Sequence, residues 1–200
     1  MGHQMNACGA ILAGGRSSRM GANKALLDFG GEPLIQRLSR RLQLWFEQVI
    51  VVTNTPEEYA FLGLPMVGDR IPGLGPLGGL EAGLTASRHA RTFFVACDMP
   101  FVNEALVRHL VELAASYDIV VPKVRGEYEP MHAVYTKACL PTATANLDAR
   151  RLRLLSLFDA VSLRVVDDGE LAPFGDPARL FFNCNTVEDL QHALELERGT

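Results

Sequence analysis

The sequence predicts a three-layer α/β/α sandwich built on a mostly parallel sheet. Apolar runs of strand length recur along the chain, segments with helical periodicity lie between them, and no linker, repeat or low-complexity stretch interrupts the alternation. Strands that alternate with helices form parallel sheets covered on both faces. The 200 residues suit one domain with a substantial core, so residues 1–200 are read as a single unit.

Cys8–Ala13 (CGAILA) is short and apolar throughout, as a strand buried on both faces should be. Pro33–Trp45 places Leu34, Ile35, Leu38, Leu42 and Trp45 on one helical stripe, with the proline at a favoured first-turn position. Val49–Thr53 is a β-branched strand, and Pro65–Val67 is at most a brief one. Leu77–Ser87 reads as a helix and Thr92–Cys97 (TFFVAC) as a buried strand. Asn103 caps a helix that runs to Ala115. Ile119–Val121 is a strand that Pro122 stops, and His132–Tyr135 is a further strand, at an edge or antiparallel. Two short helices fill Lys137–Phe158, and Val161–Val166 is a strand. Leu180–Phe182 leads through a strand-to-helix junction into a closing helix. Thr186 caps that helix, with Asp189 three residues on in capping-box position.

Composition narrows the function classes. The net charge of −4 argues against general nucleic-acid binding, so any anion site must be local. No apolar run approaches the length of a membrane span, and the N-terminus lacks a secretory pattern. Cys8, Cys97, Cys139 and Cys184 form no C-x-x-C pair, so a thiolate zinc site is not expected. Reduced thiols in or beside apolar runs fit a cytoplasmic protein.

Ligands of open α/β sheets sit beyond the C-terminal strand ends. That rule selects three places here. The first is Gly14–Lys24 (GGRSSRMGANK), which holds three glycines, three cations and no acid. Glycines let backbone N–H groups turn toward an anion, and Arg16, Arg19 and Lys24 add fixed charge. An acidic chain with a purely basic loop after its first strand points to a bound polyanion, a nucleotide triphosphate above all. The loop is not a P-loop, because no Gly-Lys-Ser or Gly-Lys-Thr occurs in it. The second place is Asp98, at the end of a buried strand. It can hold magnesium, which takes one or two carboxylates plus phosphate oxygens and water. Asn103 is the better cap for the next helix, which leaves Asp98 free for this role.

The third place follows Val67: Gly68-Asp69, then Gly73-Leu74-Gly75-Pro76-Leu77-Gly78-Gly79. Gly73, Gly75 and Gly78 match the dinucleotide pattern G-x-G-x-x-G, and Asp98 lies twenty residues beyond Gly78. The context is poor, since the preceding strand is very short and the reading leaves the basic loop idle. A second glycine loop approaching the same nucleotide explains more. Near the C-terminus, Asn183 and Asn185 flank Cys184 and offer amides to a ligand, although Asn185 or Thr186 is needed as a helix cap. No histidine shows metal-ligand spacing, and Ser17 and Ser18 lack a histidine–carboxylate partner.

With these residues in hand, the chain resembles the molybdenum cofactor guanylyltransferases of the nucleotidyltransferase superfamily. The signature loop is Leu12-Ala13-Gly14-Gly15-Arg16-Ser17-Ser18-Arg19-Met20-Gly21, followed by Lys24. Gly75–Gly79, Cys97–Phe101, Glu129-Pro130 with Ala133–Tyr135, and Asn183–Thr186 follow in the family's order and span most of the chain. The resemblance implies a Rossmann-like sheet of the nucleotide-diphospho-sugar transferase type. It implies that Leu12, Ala13, Gly14, Gly15 and Asn54 contact guanine and ribose, that Arg19 and Lys24 hold the triphosphate, and that Asp69 and Gly78 contact the nucleotide. Asp98 would bind Mg2+, and Asn183 and Asn185, with Arg151, would face the pterin. The reaction implied joins GTP and molybdopterin, with transient contacts to cofactor-insertion and acceptor proteins. Asn23 stands where an aspartate is usual, and Val187 replaces a common proline. The rival readings are a molybdopterin cytidylyltransferase or another small-molecule phosphate nucleotidyltransferase, a catalytically weak nucleotide-binding partner, and an NAD-dependent oxidoreductase.

Overall fold

The computed structural model describes residues 3–14 and 23–198. Eight strands form one sheet: β1 (Met5–Leu12), β2 (Phe46–Val52), β3 (Met66–Val67), β4 (Arg91–Ala96), β5 (Ile119–Val124), β6 (Glu127–Tyr128), β7 (His132–Thr136) and β8 (Leu163–Val166). The order is β3-β2-β1-β4-β7-β5-β6, with β8 also on β5. β3, β2, β1 and β4 are mutually parallel, β7 runs antiparallel between β4 and β5, and β8 is parallel to β5. The helices are α1 (Leu34–Trp45), α2 (Pro76–Ala86), α3 (Glu104–Leu113), α4 (Leu140–Asp148), α5 (Asp168–Leu171), α6 (Pro177–Leu180) and α7 (Val187–Arg198).

The central strands are apolar over most of their length because each face meets a helix layer. Along β1, Ala7 and Ile11 pack with α1 and α3, whereas Cys8, Ala10 and Leu12 pack with α2 and α4. Neighbouring Phe93 and Phe94 of β4 divide the same way, as the two-residue period of a strand requires. Helix α2 lies close to the sheet: a Cβ on Gly83 would stand 2.6 Å from the Phe94 ring, and one on Gly79 would stand 3.1 Å from Leu12. The glycines there serve packing. A third cluster joins Phe29, Leu34 and Phe101 to Cys184 and to Leu190 and Ala193 of α7.

Two expectations need correction and a third is narrowed. The strand at Ile119 does not stop at Pro122 but runs to Val124. The ladder to β7 ends at Val120, and the Pro122 carbonyl accepts from the Glu129 N–H at 2.9 Å, so the missing N–H of proline leaves no partner stranded. His132–Thr136 is antiparallel but interior, with partners on both sides. Leu180–Phe182 is not strand: α6 ends at Leu180, capped at its start by Asp176, and irregular backbone leads to α7. The β5–β6 hairpin escapes notice in the sequence because its turn is Arg125-Gly126, both at positive φ, where an Asn-Gly pair would have advertised it.

Candidate active site

The site is built at the C-terminal end of β1, where Leu12 is in register with Val52 of β2 and Ala96 of β4. The Ala13 N–H donates to the Val52 carbonyl at 2.9 Å, and the Cys97 N–H donates to the Leu12 carbonyl at 3.1 Å. These bonds fix where the loops after β1 and β4 leave the sheet. The chain order reverses at β1, since β2 lies on one side and β4 on the other, so a crevice opens there. Gly14 is described and exposed at its mouth; Gly15, Arg16 and Arg19 lie outside the described residues.

The far end of the basic loop returns as a single 3-10 turn, Lys24–Leu26, capped by Asn23, whose Oδ1 accepts from the Ala25 N–H at 3.1 Å. The Asn23 amide also donates to Glu58 Oε2 at 2.6 Å and to the Tyr59 hydroxyl at 2.8 Å. An aspartate at this position would set a second carboxylate against Glu58 with no proton to give. Asparagine keeps the cap and adds the donor. Tyr59 is buried, and burial pushes its hydroxyl pKa up to about 12, against the smaller opposing effect of the Asn23 bond.

Lys24 extends across the crevice, and its Nζ donates to Asn185 Oδ1 at 2.9 Å. Asp98 follows β4, and its backbone carbonyl accepts from the Cys184 N–H at 2.8 Å. Its Oδ1 is buried without a hydrogen-bond partner. Burial holds the Asp98 carboxyl above the usual carboxylate range; a bond to its own backbone and the charge of Lys24 act the other way. Lys24, on Asn185, and Asp98, on the neighbouring Cys184, are thereby brought to one crevice. Among the described residues, no group of three His, Cys, Asp or Glu side chains is arranged to hold a metal.

The other wall comes from β2, β3 and α2. Asn54 and Asp69 clasp each other: Asn54 Nδ2 donates to Asp69 Oδ2 at 2.9 Å, and the Asp69 N–H donates to Asn54 Oδ1 at 2.8 Å. A Cβ on Gly78 would lie 3.3 Å from the Asp69 carboxylate, so this glycine lets Asp69 sit against the first turn of α2. Gly75 precedes that turn at φ 71° and Pro76 opens the helix. The glycine run thus belongs to the same crevice as the first loop.

Asn183 Nδ2 donates to the Phe181 carbonyl at 2.9 Å. The cap of α7 is Thr186, which receives the Asp189 N–H, while Asp189 Oδ2 accepts the N–H groups of both Asn185 and Thr186. The Asn185 side chain is therefore spared for Lys24. Arg151 follows α4, whose Asp148 pairs with Arg70, and among the described residues it shares no hydrogen bond or ion pair with Asn183 or Asn185. Sequence reasoning gave Glu129 no role. It lies in the turn before β7, two residues from Met131, whose carbonyl receives the Ala96 N–H at the end of β4. Burial raises its carboxyl above the usual range.

The crevice can hold a polyanion between Lys24 and Asp98, and among the described residues no histidine or serine stands beside them as a base. A model of the MobA-like NTP transferase domain matches residues 9–162. A probable molybdenum cofactor guanylyltransferase from Pelotomaculum thermopropionicum is 39% identical over 189 residues, covering 94% of this chain and 92% of its own. A protein of the same name from Carboxydothermus hydrogenoformans is 35% identical, with 94% of each chain covered. The crystal structure of molybdopterin-guanine dinucleotide biosynthesis protein A from Archaeoglobus fulgidus superposes with a TM-score of 0.83. It covers 96% of this chain and all of that one, and at 24% identity it speaks for the fold, that of the nucleotide-diphospho-sugar transferases. Matched along nearly its whole length at these identities, the chain belongs to the MobA-like NTP transferase family, that of the molybdenum cofactor guanylyltransferases.

Proposed function

We propose that this chain transfers GMP from GTP to the terminal phosphate of molybdenum-bound molybdopterin, giving molybdopterin guanine dinucleotide and pyrophosphate. The observation that carries the reading is that Lys24 and a buried, hydrogen-bond-free Asp98 oxygen are brought to one crevice by the neighbouring residues Asn185 and Cys184. A phosphate oxygen of the acceptor attacks the α-phosphorus of GTP. The bond from that phosphorus to the oxygen bridging the β-phosphorus breaks, and pyrophosphate leaves with the electron pair. The nucleophile is already ionised at neutral pH, so no general base is required. What the protein must supply is positioning and relief of anion repulsion.

Lys24 would stabilise the pyrophosphate as it departs, with Arg19 from the same loop. The backbone from Leu12 through Ala13, Gly14 and Gly15 would approach the guanosine, with Asn54 at the ribose. The Asn54–Asp69 clasp against Gly78 would hold the opposite side of the nucleotide. Asn183 and Asn185 would meet the acceptor on the Asp98 side, and Arg151 would meet it from the α4 layer.

Asp98 fits magnesium. A carboxylate with an orphaned oxygen, in no group of three ligating side chains among the described residues, suits an ion that takes most of its shell from phosphates and water. When bound there, magnesium would neutralise phosphate oxygens beside the α-phosphorus.

Thermal shift with GTP, CTP, ATP and NADH, each with magnesium, tests the substrate class. GTP at about a hundred times its Kd should stabilise the protein by about 2.7 kcal/mol, a rise on the order of 5–10 °C. A larger shift with CTP would make the chain a cytidylyltransferase, and a larger one with NADH would overturn nucleotidyl transfer altogether.

A further inference from the structure

We infer that Asn185 is a positioning residue for Lys24, so that the segment before α7 sets the triphosphate contact in addition to meeting the acceptor. The inference rests on the assignment of Lys24 to the triphosphate made above. The two residues lie 161 positions apart, yet Lys24 Nζ reaches Asn185 Oδ1 at 2.9 Å. A lysine side chain has four rotatable carbons and no preferred direction, so an exposed one is costly to order at the moment of binding. A fixed acceptor beyond the ammonium removes that cost in advance.

The chemistry of the acceptor matters. A carboxylate at position 185 would orient Lys24 equally well but would cancel its charge and repel a phosphate. An amide oxygen orients the ammonium, leaves its charge whole and leaves two of its three N–H donors for the ligand.

The platform under Asn185 is rigid. Its own N–H and that of Thr186 both donate to Asp189 Oδ2, at 2.9 and 2.8 Å, and the Asp189 N–H donates back to Thr186 at 3.0 Å. One residue earlier, the buried Cys184 donates its N–H to the Asp98 carbonyl at 2.8 Å. Three consecutive residues thus bind the backbone of Asp98, the side chain of Lys24 and the cap of α7. The segment joins Lys24 to Asp98.

A double-mutant cycle tests this. GTP affinity is measured by calorimetry, with magnesium and without pterin, for the native protein, Lys24→Ala, Asn185→Ala and the double variant. Asn185 is exposed and α7 keeps its cap, so both single variants should fold. Asn185→Ala should weaken GTP about fivefold to thirtyfold, and should add nothing once Lys24 is gone. Guanosine, which has no phosphate, should bind all four proteins alike. Unchanged GTP affinity in Asn185→Ala, beside a clear loss in Lys24→Ala, would overturn the positioning role alone. So would a loss from Asn185→Ala that persists in the Lys24→Ala background. Unchanged affinity in Lys24→Ala itself would overturn the triphosphate assignment, and the positioning role with it.

Discussion

Replacing Asp98 with asparagine should lower turnover by about a hundredfold or more while making the nucleotide-free protein more stable. Both effects come from the same oxygen. Asp98 Oδ1 is buried with no hydrogen-bond partner, and burial raises its carboxyl above the ordinary value of 3.8. Held there without a ligand, the charge costs the fold; set against a cation and a triphosphate, it would be the group the proposed reaction uses. The pH dependence has a definite sign. A carboxyl with a raised folded pKa contributes fully below its unfolded value, and that contribution is lost as pH rises through the folded one. The asparagine variant removes this loss, so its advantage in stability should grow from pH 4 to pH 7, toward about 1 kcal/mol. Turnover assays at saturating magnesium, with urea unfolding at both pH values, read the two effects. Turnover within a few-fold of native would detach Asp98 from the chemistry.

His132→Leu should make the protein markedly more resistant to acid. The ring of His132 is 1% exposed, edge-on to Phe93 and Phe181 at about 5 Å, and neither ring nitrogen has a hydrogen-bond partner. Burial pushes its pKa down to about 3. The unfolded chain takes up a proton near 6.5 whereas the folded one does not, so stability is full above 6.5 and drains away as pH falls toward 3. The shift is worth a few kcal/mol over that window. Leucine removes both the titration and two unsatisfied polar atoms, so it should stabilise by about 1–3 kcal/mol at pH 7 and by more at pH 5. Equal pH dependence of unfolding in the two proteins would mean that the ring is not held neutral in the core. Activity should change little, since the ring faces aromatic side chains and not the crevice.

Much of this fold is legible in the residues because burial on both faces leaves an unmistakable mark. Cys8–Ala13 and Thr92–Cys97 are read as strands within a few residues, and the capping residues Asn103 and Thr186 are where side-chain chemistry puts them. Legibility fails where tertiary context decides. Pro122 continues a strand because its nitrogen faces past the end of the β7 ladder, and no local pattern announces that. The short helices at Asp168 and Pro177 are too brief to show a period. In the site, strand-end position selects Asp98, Asp69 and the ends of the basic loop, and the structure sets all of them at the C-terminal ends of the parallel strands. What it cannot supply is pairing across the chain. That Asn54 clasps Asp69, that Asn23 anchors to Glu58 and Tyr59, and that Lys24 rests on Asn185 are facts of three-dimensional approach over 15 to 161 positions. Arg151, grouped with the asparagines by resemblance, follows α4, and among the described residues no hydrogen bond links it to them.

In the proposed reaction, GMP moves from GTP onto a phosphate of molybdopterin. Incubation with molybdenum-loaded molybdopterin, magnesium and GTP labelled at either the α- or the γ-phosphorus tests it directly. The α label should appear in a molybdopterin guanine dinucleotide and the γ label in pyrophosphate, in equal amounts and with little transfer from CTP. An α label that stays in GTP, or that passes to water as free GMP whether or not molybdopterin is present, would contradict it.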